Sequence, residues 1–210
     1  FHTKQAGCLR SRWCGCVPCG VFLTEGGVPA GGFVEESKGW HSRGYLPHFD
    51  AGNIYQFITF RLYDSLPKEV IQKWKDELGV CKSTDINSKE YIELHNRIQK
   101  YEDNGYGQCF LKDDKINKVV EEALNFYHKI KYDLIEWAIM PNHVHVLIKV
   151  YEGNTLSSIV HSWKSFTALA ANRILNRKGN FWMKDYYDRY IRNDEHFQAA
   201  ISYIKKNSIK

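Results

Sequence analysis

No apolar run in this chain approaches the roughly 20 residues that cross a bilayer. Nor does the chain open on the basic-then-apolar pattern of a secretory signal, so a cytoplasmic location is expected. No internal repeat recurs along it, which argues against solenoid and propeller architectures. The six cysteines do not make a recognisable module. Cys8, Cys14, Cys16 and Cys19 crowd the first twenty residues and could ligate zinc, but Cys14-x-Cys16-x-x-Cys19 fits no paired C-x-x-C pattern and no second cluster answers it, so an accessory tail is the plainer reading. A disulfide scaffold does not suit a chain without a secretion signal. Strong charge is lacking too. A net charge of +5 with 14% aromatic residues suits a nucleic-acid partner without requiring one.

What remains is an ordinary globular composition, 43% apolar and 25% charged, over 210 residues. That length gives one domain with a proper core and room for a tail or an insertion. Residues 1–38 hold Gly26-Gly27 and Gly31-Gly32 without sustained periodicity and read as a Cys/Gly-rich tail or linker. The first residue is Phe1 rather than Met, which reads as a piece of a longer sequence. Residues 39–210 form the expected working domain. Within it, 39–50 is basic and aromatic without being apolar, and is expected to be a flexible segment before the first strand.

The β-rich run 54–62 is the expected first strand, and 67–78 and 89–101 read as helices within an insertion spanning about 64–112. Asp113 or Asp114 caps an amphipathic helix to 130, with Ile116, Val119, Val120, Ala123, Leu124 and Tyr127 on one side. Two strands, 132–140 and 143–150, are joined by Pro141-Asn142. A helix over 155–176 carries Leu156, Ile159, Val160, Trp163, Phe166, Thr167 and Ala170 at helical spacing. A last strand within 181–192 and a helix capped by Asn193 or Asp194 complete the order. With the insertion set aside, this is the split βαβ, ferredoxin-like arrangement of the α+β class. It packs helices on one face of an antiparallel sheet and leaves the other for ligands.

The chemistry concentrates in Met140-Pro141-Asn142-His143-Val144-His145. On a strand, residues i and i+2 share a face, so His143 and His145 can hold one divalent metal. Tyr203 and Asn207 stand one helical turn apart, where Asn207 can add an oxygen ligand that favours Mg²⁺ or Mn²⁺. A phenol of pKa about 10 is a weak nucleophile, and its attack on phosphate needs a metal and precise positioning. Spacing alone does not choose Tyr203 over Tyr186, Tyr187 or Tyr190.

Met-Pro-Asn-His-Val-His-Val-Leu-Ile at 140–148 resembles the HUH motif of the single-tyrosine, IS200-like transposases. Further stretches resemble the REP-associated tyrosine transposases among them: Ser42-Arg43-Gly44-Tyr45 with Pro47-His48-Phe49; His161-Ser162-Trp163-Lys164-Ser165-Phe166-Thr167; Phe181-Trp182 with Tyr186-Tyr187-Asp188-Arg189-Tyr190-Ile191-Arg192; and Tyr203-Ile204-x-x-Asn207. Together they cover roughly residues 39–210, and residues 1–38 have no counterpart. The resemblance selects Tyr203 as nucleophile, with His143, His145 and Asn207 as metal ligands. It implies cleavage and rejoining of single-stranded hairpin DNA, drawn from palindromic repeats with a tetranucleotide at the foot, through a 5′-phosphotyrosine. The enzyme would act as a monomer or homodimer at the nucleoid.

The family continues with Pro after that Asn and Gly soon after, whereas Ser208-Ile209-Lys210 ends this sequence, which reads as C-terminal truncation. Expected DNA contacts are Arg43 on guanine, Tyr45 stacked on a base, and His48 beside them, with Lys164, Arg189 and Arg192 on phosphates. The rival from another class is a non-catalytic or domesticated hairpin-binding protein. It has no need of His143, His145, Tyr203 and Asn207 together, and the RNA-binding consensus of such sheets is absent.

Overall fold

The computed structural model describes residues 39–42, 47–81, 84, 85 and 88–208. The proposed tail 1–38 with its cysteine cluster, and the expected DNA contacts Arg43 and Tyr45, lie outside the described residues.

Residues 39–50, expected as a flexible lead-in, contain a small antiparallel ladder of β1 (Gly39–Ser42) and β2 (Pro47–Asp50). Strand β3 (Tyr55–Arg61) follows, then α1 (Lys68–Leu78) and α2 (Lys89–Asp103). Gly79 ends α1 in the left-handed region, φ 65°, where glycine carries no Cβ penalty. Asp113 starts α3 (Asp114–Phe126) by accepting from the amides of Lys115 and Ile116 at 2.9 and 3.4 Å. This helix stops four residues short of the expected 130, because Lys129 turns left-handed at φ 65° and donates its amide to the Tyr132 carbonyl.

Strands β4 (Tyr132–Ile139) and β5 (His143–Val150) form the expected hairpin, closed by Met140 N–H on the His143 carbonyl at 2.8 Å. Helix α4 (Leu156–Ile174) starts at Thr155, whose hydroxyl accepts from the Ser158 amide. Strand β6 (Tyr187–Tyr190) and α5 (Asp194–Ser208) end the order, with the Asn193 side chain accepting from the His196 amide at 2.9 Å. The four-stranded sheet runs β4-β5-β3-β6, every neighbour antiparallel. That order is the split βαβ, ferredoxin-like α+β fold.

Alternation along the two central strands sorts the residues. Ile58 and Phe60 of β3, Leu62 just after it, and Val144, Val146, Ile148 and Val150 of β5 enter one core with α3 and α4. Full burial of each such side chain contributes roughly 1.5–3 kcal/mol. Its polar atoms are satisfied in a chain: Trp163 Nε1–H donates to the Tyr132 hydroxyl at 2.9 Å, which donates to the Leu124 carbonyl at 2.7 Å. Thr167 donates to the Trp163 carbonyl and accepts from Trp182 Nε1. The motif around Trp163 is therefore mostly packing. Phe166, expected on the buried stripe, is 56% exposed; Ala171 is buried further along that face.

The opposite sheet face is not left wholly open. Helix α5 lays Ala200 and Ile204 on Phe57, Leu147 and Ala138, so β5 is buried on both sides. The His pair sits on that same face, beyond the end of this apolar patch.

Candidate metal centre and nucleophile

Strand register brings the histidines to the middle of the sheet: Thr59 pairs with His145 and Arg61 with His143. Both histidines are fully buried. His143 Nδ1 lies 2.7 Å from Asn142 Oδ1, and His145 Nδ1 lies 2.8 Å from Thr59 Oγ1. Since the Asn142 oxygen can only accept, His143 carries its proton on Nδ1 and presents a lone pair at Nε2. Asn142 is itself fixed, with its Nδ2 donating to the Tyr106 carbonyl and its own carbonyl accepting from the Leu62 amide. Burial first, then the neighbouring His143, holds the His145 pKa well below the usual imidazole value. The two Nε2 atoms converge to 2.9 Å, an approach suited to two ligands of one cation.

Tyr203, on α5, brings its hydroxyl to 3.4 Å from His145 Nε2 and to 3.4 and 3.5 Å from the two Asp103 carboxylate oxygens. Burial pushes its pKa up to about 12, and the Asp103 charge adds to this. Asn207, one turn on, is 3% exposed, and its Nδ2 is buried without a hydrogen-bond partner. Two converging imidazole nitrogens with a carboxylate close by fit a divalent cation.

Sequence reasoning missed Asp103. It lies in the segment set aside as an insertion, yet α2 brings it to the His pair, Oδ1 3.6 Å from His143 Nε2. The next-door residue Glu102 is buried against Arg61, and burial raises its pKa against the pull of that guanidinium. Nothing in the local pattern of α2 marks Asp103, because its partners stand 40 and 100 residues on. Asn142 was legible only as half of a turn.

The expected DNA contacts divide. Arg189 and Arg192 are exposed and line, with Arg61, His95 and Tyr203, a cleft of about 1310 Å³ that also takes in residues of α4. Lys164 lines it too, but its ammonium donates to the Lys184 and Asp185 carbonyls at 2.8 and 3.4 Å. Burial lowers its pKa to about 8. The reading of His48 as a DNA contact is corrected. It is 1% exposed, with Nδ1 on Asp188 and Nε2 2.9 Å from Asp185, so neither ring nitrogen is offered to a base. Burial alone would lower its pKa, but the two carboxylates outweigh it and raise the value to about 9. His48 fastens β2 to β6, helped by the Phe49 amide on Asp188.

A split βαβ sheet with paired imidazoles and a helix-borne tyrosine beside them defines an α+β protein with a candidate metal site at its sheet face. Residues 106–207, just under half of the chain, match the family described as "Transposase IS200 like". No curated protein matches the chain. Two solved structures are similar to it. A REP-associated tyrosine transposase bound to a REP hairpin is 13% identical at a TM-score of 0.45, over 79% of this chain and 73% of that one. A candidate transposase from Deinococcus radiodurans R1 is 15% identical at a TM-score of 0.32, over 80% of this chain and 96% of that one. Among the described residues no helix is long and apolar enough to cross a membrane.

Proposed function

We propose that this chain cuts and rejoins single-stranded hairpin DNA through a 5′-phosphotyrosine on Tyr203, with Mg²⁺ or Mn²⁺ held by His143, His145 and Asn207. The observation that carries this is the Tyr203 hydroxyl 3.4 Å from His145 Nε2, at the mouth of the His pair. A divalent ion there supplies Lewis-acid stabilisation of charge on the phosphoryl oxygens.

The chain's own residues supply the rest. Arg189 and Arg192 draw the strand into the cleft as phosphate contacts, and Lys164 adds charge at its far wall. Tyr203 Oη attacks the phosphorus, its proton leaving to water in the cleft. The O–P bond to tyrosine forms as the bond to the 3′-oxygen breaks, and that oxygen leaves with a proton. The phosphotyrosyl bond conserves the energy of the broken linkage, so a 3′-hydroxyl attacking it later rejoins DNA without a nucleotide cofactor. Asn142 and Thr59 hold the two imidazoles in one orientation throughout. Arg43 and Tyr45 are assigned the reading of unpaired bases beside the hairpin, on the resemblance of Ser42-Arg43-Gly44-Tyr45 to the family motif.

The test is incubation with 5′- and 3′-labelled hairpin oligonucleotides and with the fully paired duplex, resolved on denaturing gels. A covalent adduct with the hairpin, sensitive to EDTA, and none with the duplex is the expected outcome. Hairpin binding with no adduct under any metal returns the chain to the binding-protein reading.

A further inference from the structure

We propose that Asp103, delivered by the inserted helix α2, is an anionic ligand of the metal held by the His pair. This rests on the metal reading above and adds a carboxylate to it. One ligand atom from each of Asp103, His143 and His145 lies within 4.8 Å of the other two. Ligands about 2.1 Å from one octahedral ion sit about 3 Å apart at right angles and about 4.2 Å apart when opposed. The separations of 2.9 Å between the imidazoles and 3.6 Å from His143 to Asp103 fall in that window.

The placement of α2 is specific. His95, Gln99, Glu102 and Asp103 share one helical face. The His95 ring lies 4.7 Å from that of Tyr187 on β6, and Glu102 pairs with Arg61, which stands opposite His143 in the sheet. With the helix held at both strands, the Asp103 carboxylate is directed at the imidazoles while its side chain stays 23% exposed, enough for an ion to enter past it. Two imidazoles and an amide are a neutral set. One carboxylate makes it anionic and harder, which suits Mn²⁺ and Mg²⁺ over softer ions and raises affinity by charge. The Tyr203 hydroxyl lies 3.4 and 3.5 Å from the two oxygens of this carboxylate, so the same side chain sets the distance between ion and nucleophile.

The test reads metal uptake without DNA or catalysis. The full chain is titrated with Mn²⁺, and the free ion is followed by its electron paramagnetic resonance signal; thiolates elsewhere compete poorly for so hard an ion. Wild type is expected to take up one Mn²⁺, and Asp103→Ala and Asp103→Asn to weaken it at least about tenfold, with circular dichroism confirming the fold. Asp103→Glu should recover part of the affinity, and Asn207→Ala should cost less than Asp103→Ala because a neutral oxygen is replaceable by water. Undiminished binding in Asp103→Ala beside a competent wild type overturns Asp103 alone. A wild type that takes up no Mn²⁺, or binds equally well in His145→Ala, sinks the metal reading and this ligand with it.

Discussion

The two faces of the central sheet are built from the same residues of β3 and β5 taken alternately, and they differ in almost every property. Ile58, Phe60, Val144, Val146 and Ile148 point into a closed apolar core under α3 and α4. Thr59, Arg61, His143 and His145 point the other way, towards titratable groups, and Thr59 and Arg61 also line a cleft. The period of two thus lets one pair of strands carry the stability on one side and the chemistry on the other. Changes to the two faces should fail in different ways.

Largest in effect is Tyr203→Phe. It should lower adduct formation by at least about three orders of magnitude while hairpin binding stays within about twofold, since only a hydroxyl is lost. Full cleavage by this variant would return the nucleophile to Tyr187 or Tyr190, Tyr186 being buried in the core. His143→Ala or His145→Ala should also abolish cleavage, and EDTA should do so in wild type with Mg²⁺ or Mn²⁺ restoring it; persistence in excess chelator refutes the metal role.

The core face should answer otherwise. Ile148→Ala should cost roughly 2–5 kcal/mol in denaturant unfolding and leave adduct yield per folded molecule unchanged. Loss of that yield at full folding would mean the faces are not separable.

His48 gives a smaller effect with a definite pH sense. Its folded pKa of about 9 lies above the ordinary 6.5, so its contribution is complete below pH 6.5 and is lost as pH rises through about 9. Stability should fall by up to about 3 kcal/mol across that window. The decline should flatten in His48→Asn, and an unchanged slope there would remove the clamp. Smallest is Lys164→Ala, which should weaken binding to all hairpins alike by a few fold. In wild type that share should vanish as pH rises through about 8, where the ammonium loses its proton.

The sequence made legible what short-range periodicity carries. The four strands of the central sheet, the caps Asp113 and Asn193, the hairpin at Pro141-Asn142 and the shared face of the His pair all follow from residues close to each other in sequence. Features that depend on distant partners were not legible. His48 looks like a polar residue in a basic stretch until Asp188, 140 positions on, is folded against it. The register shift in β4 between Leu134 and Glu136 has no glycine or proline to announce it, yet it lets Ile135 join the contacts under α5. Tyr203 was chosen by resemblance, and its placement beside His145 is a property of how α5 docks.

Helix α2 interrupts the connection from the first sheet strand to α3, a link that the fold needs only to close. Lengthening a surface connection costs little chain entropy, so such a detour is thermodynamically cheap. Here the detour returns to the sheet, where Glu102 and Asp103 meet Arg61 and His143. A relative with a shorter link at this point would keep its sheet and its histidines and lose a wall of the cavity. Variation in metal preference and strand access across such relatives should therefore track the length of this one connection, while the strands themselves stay as they are.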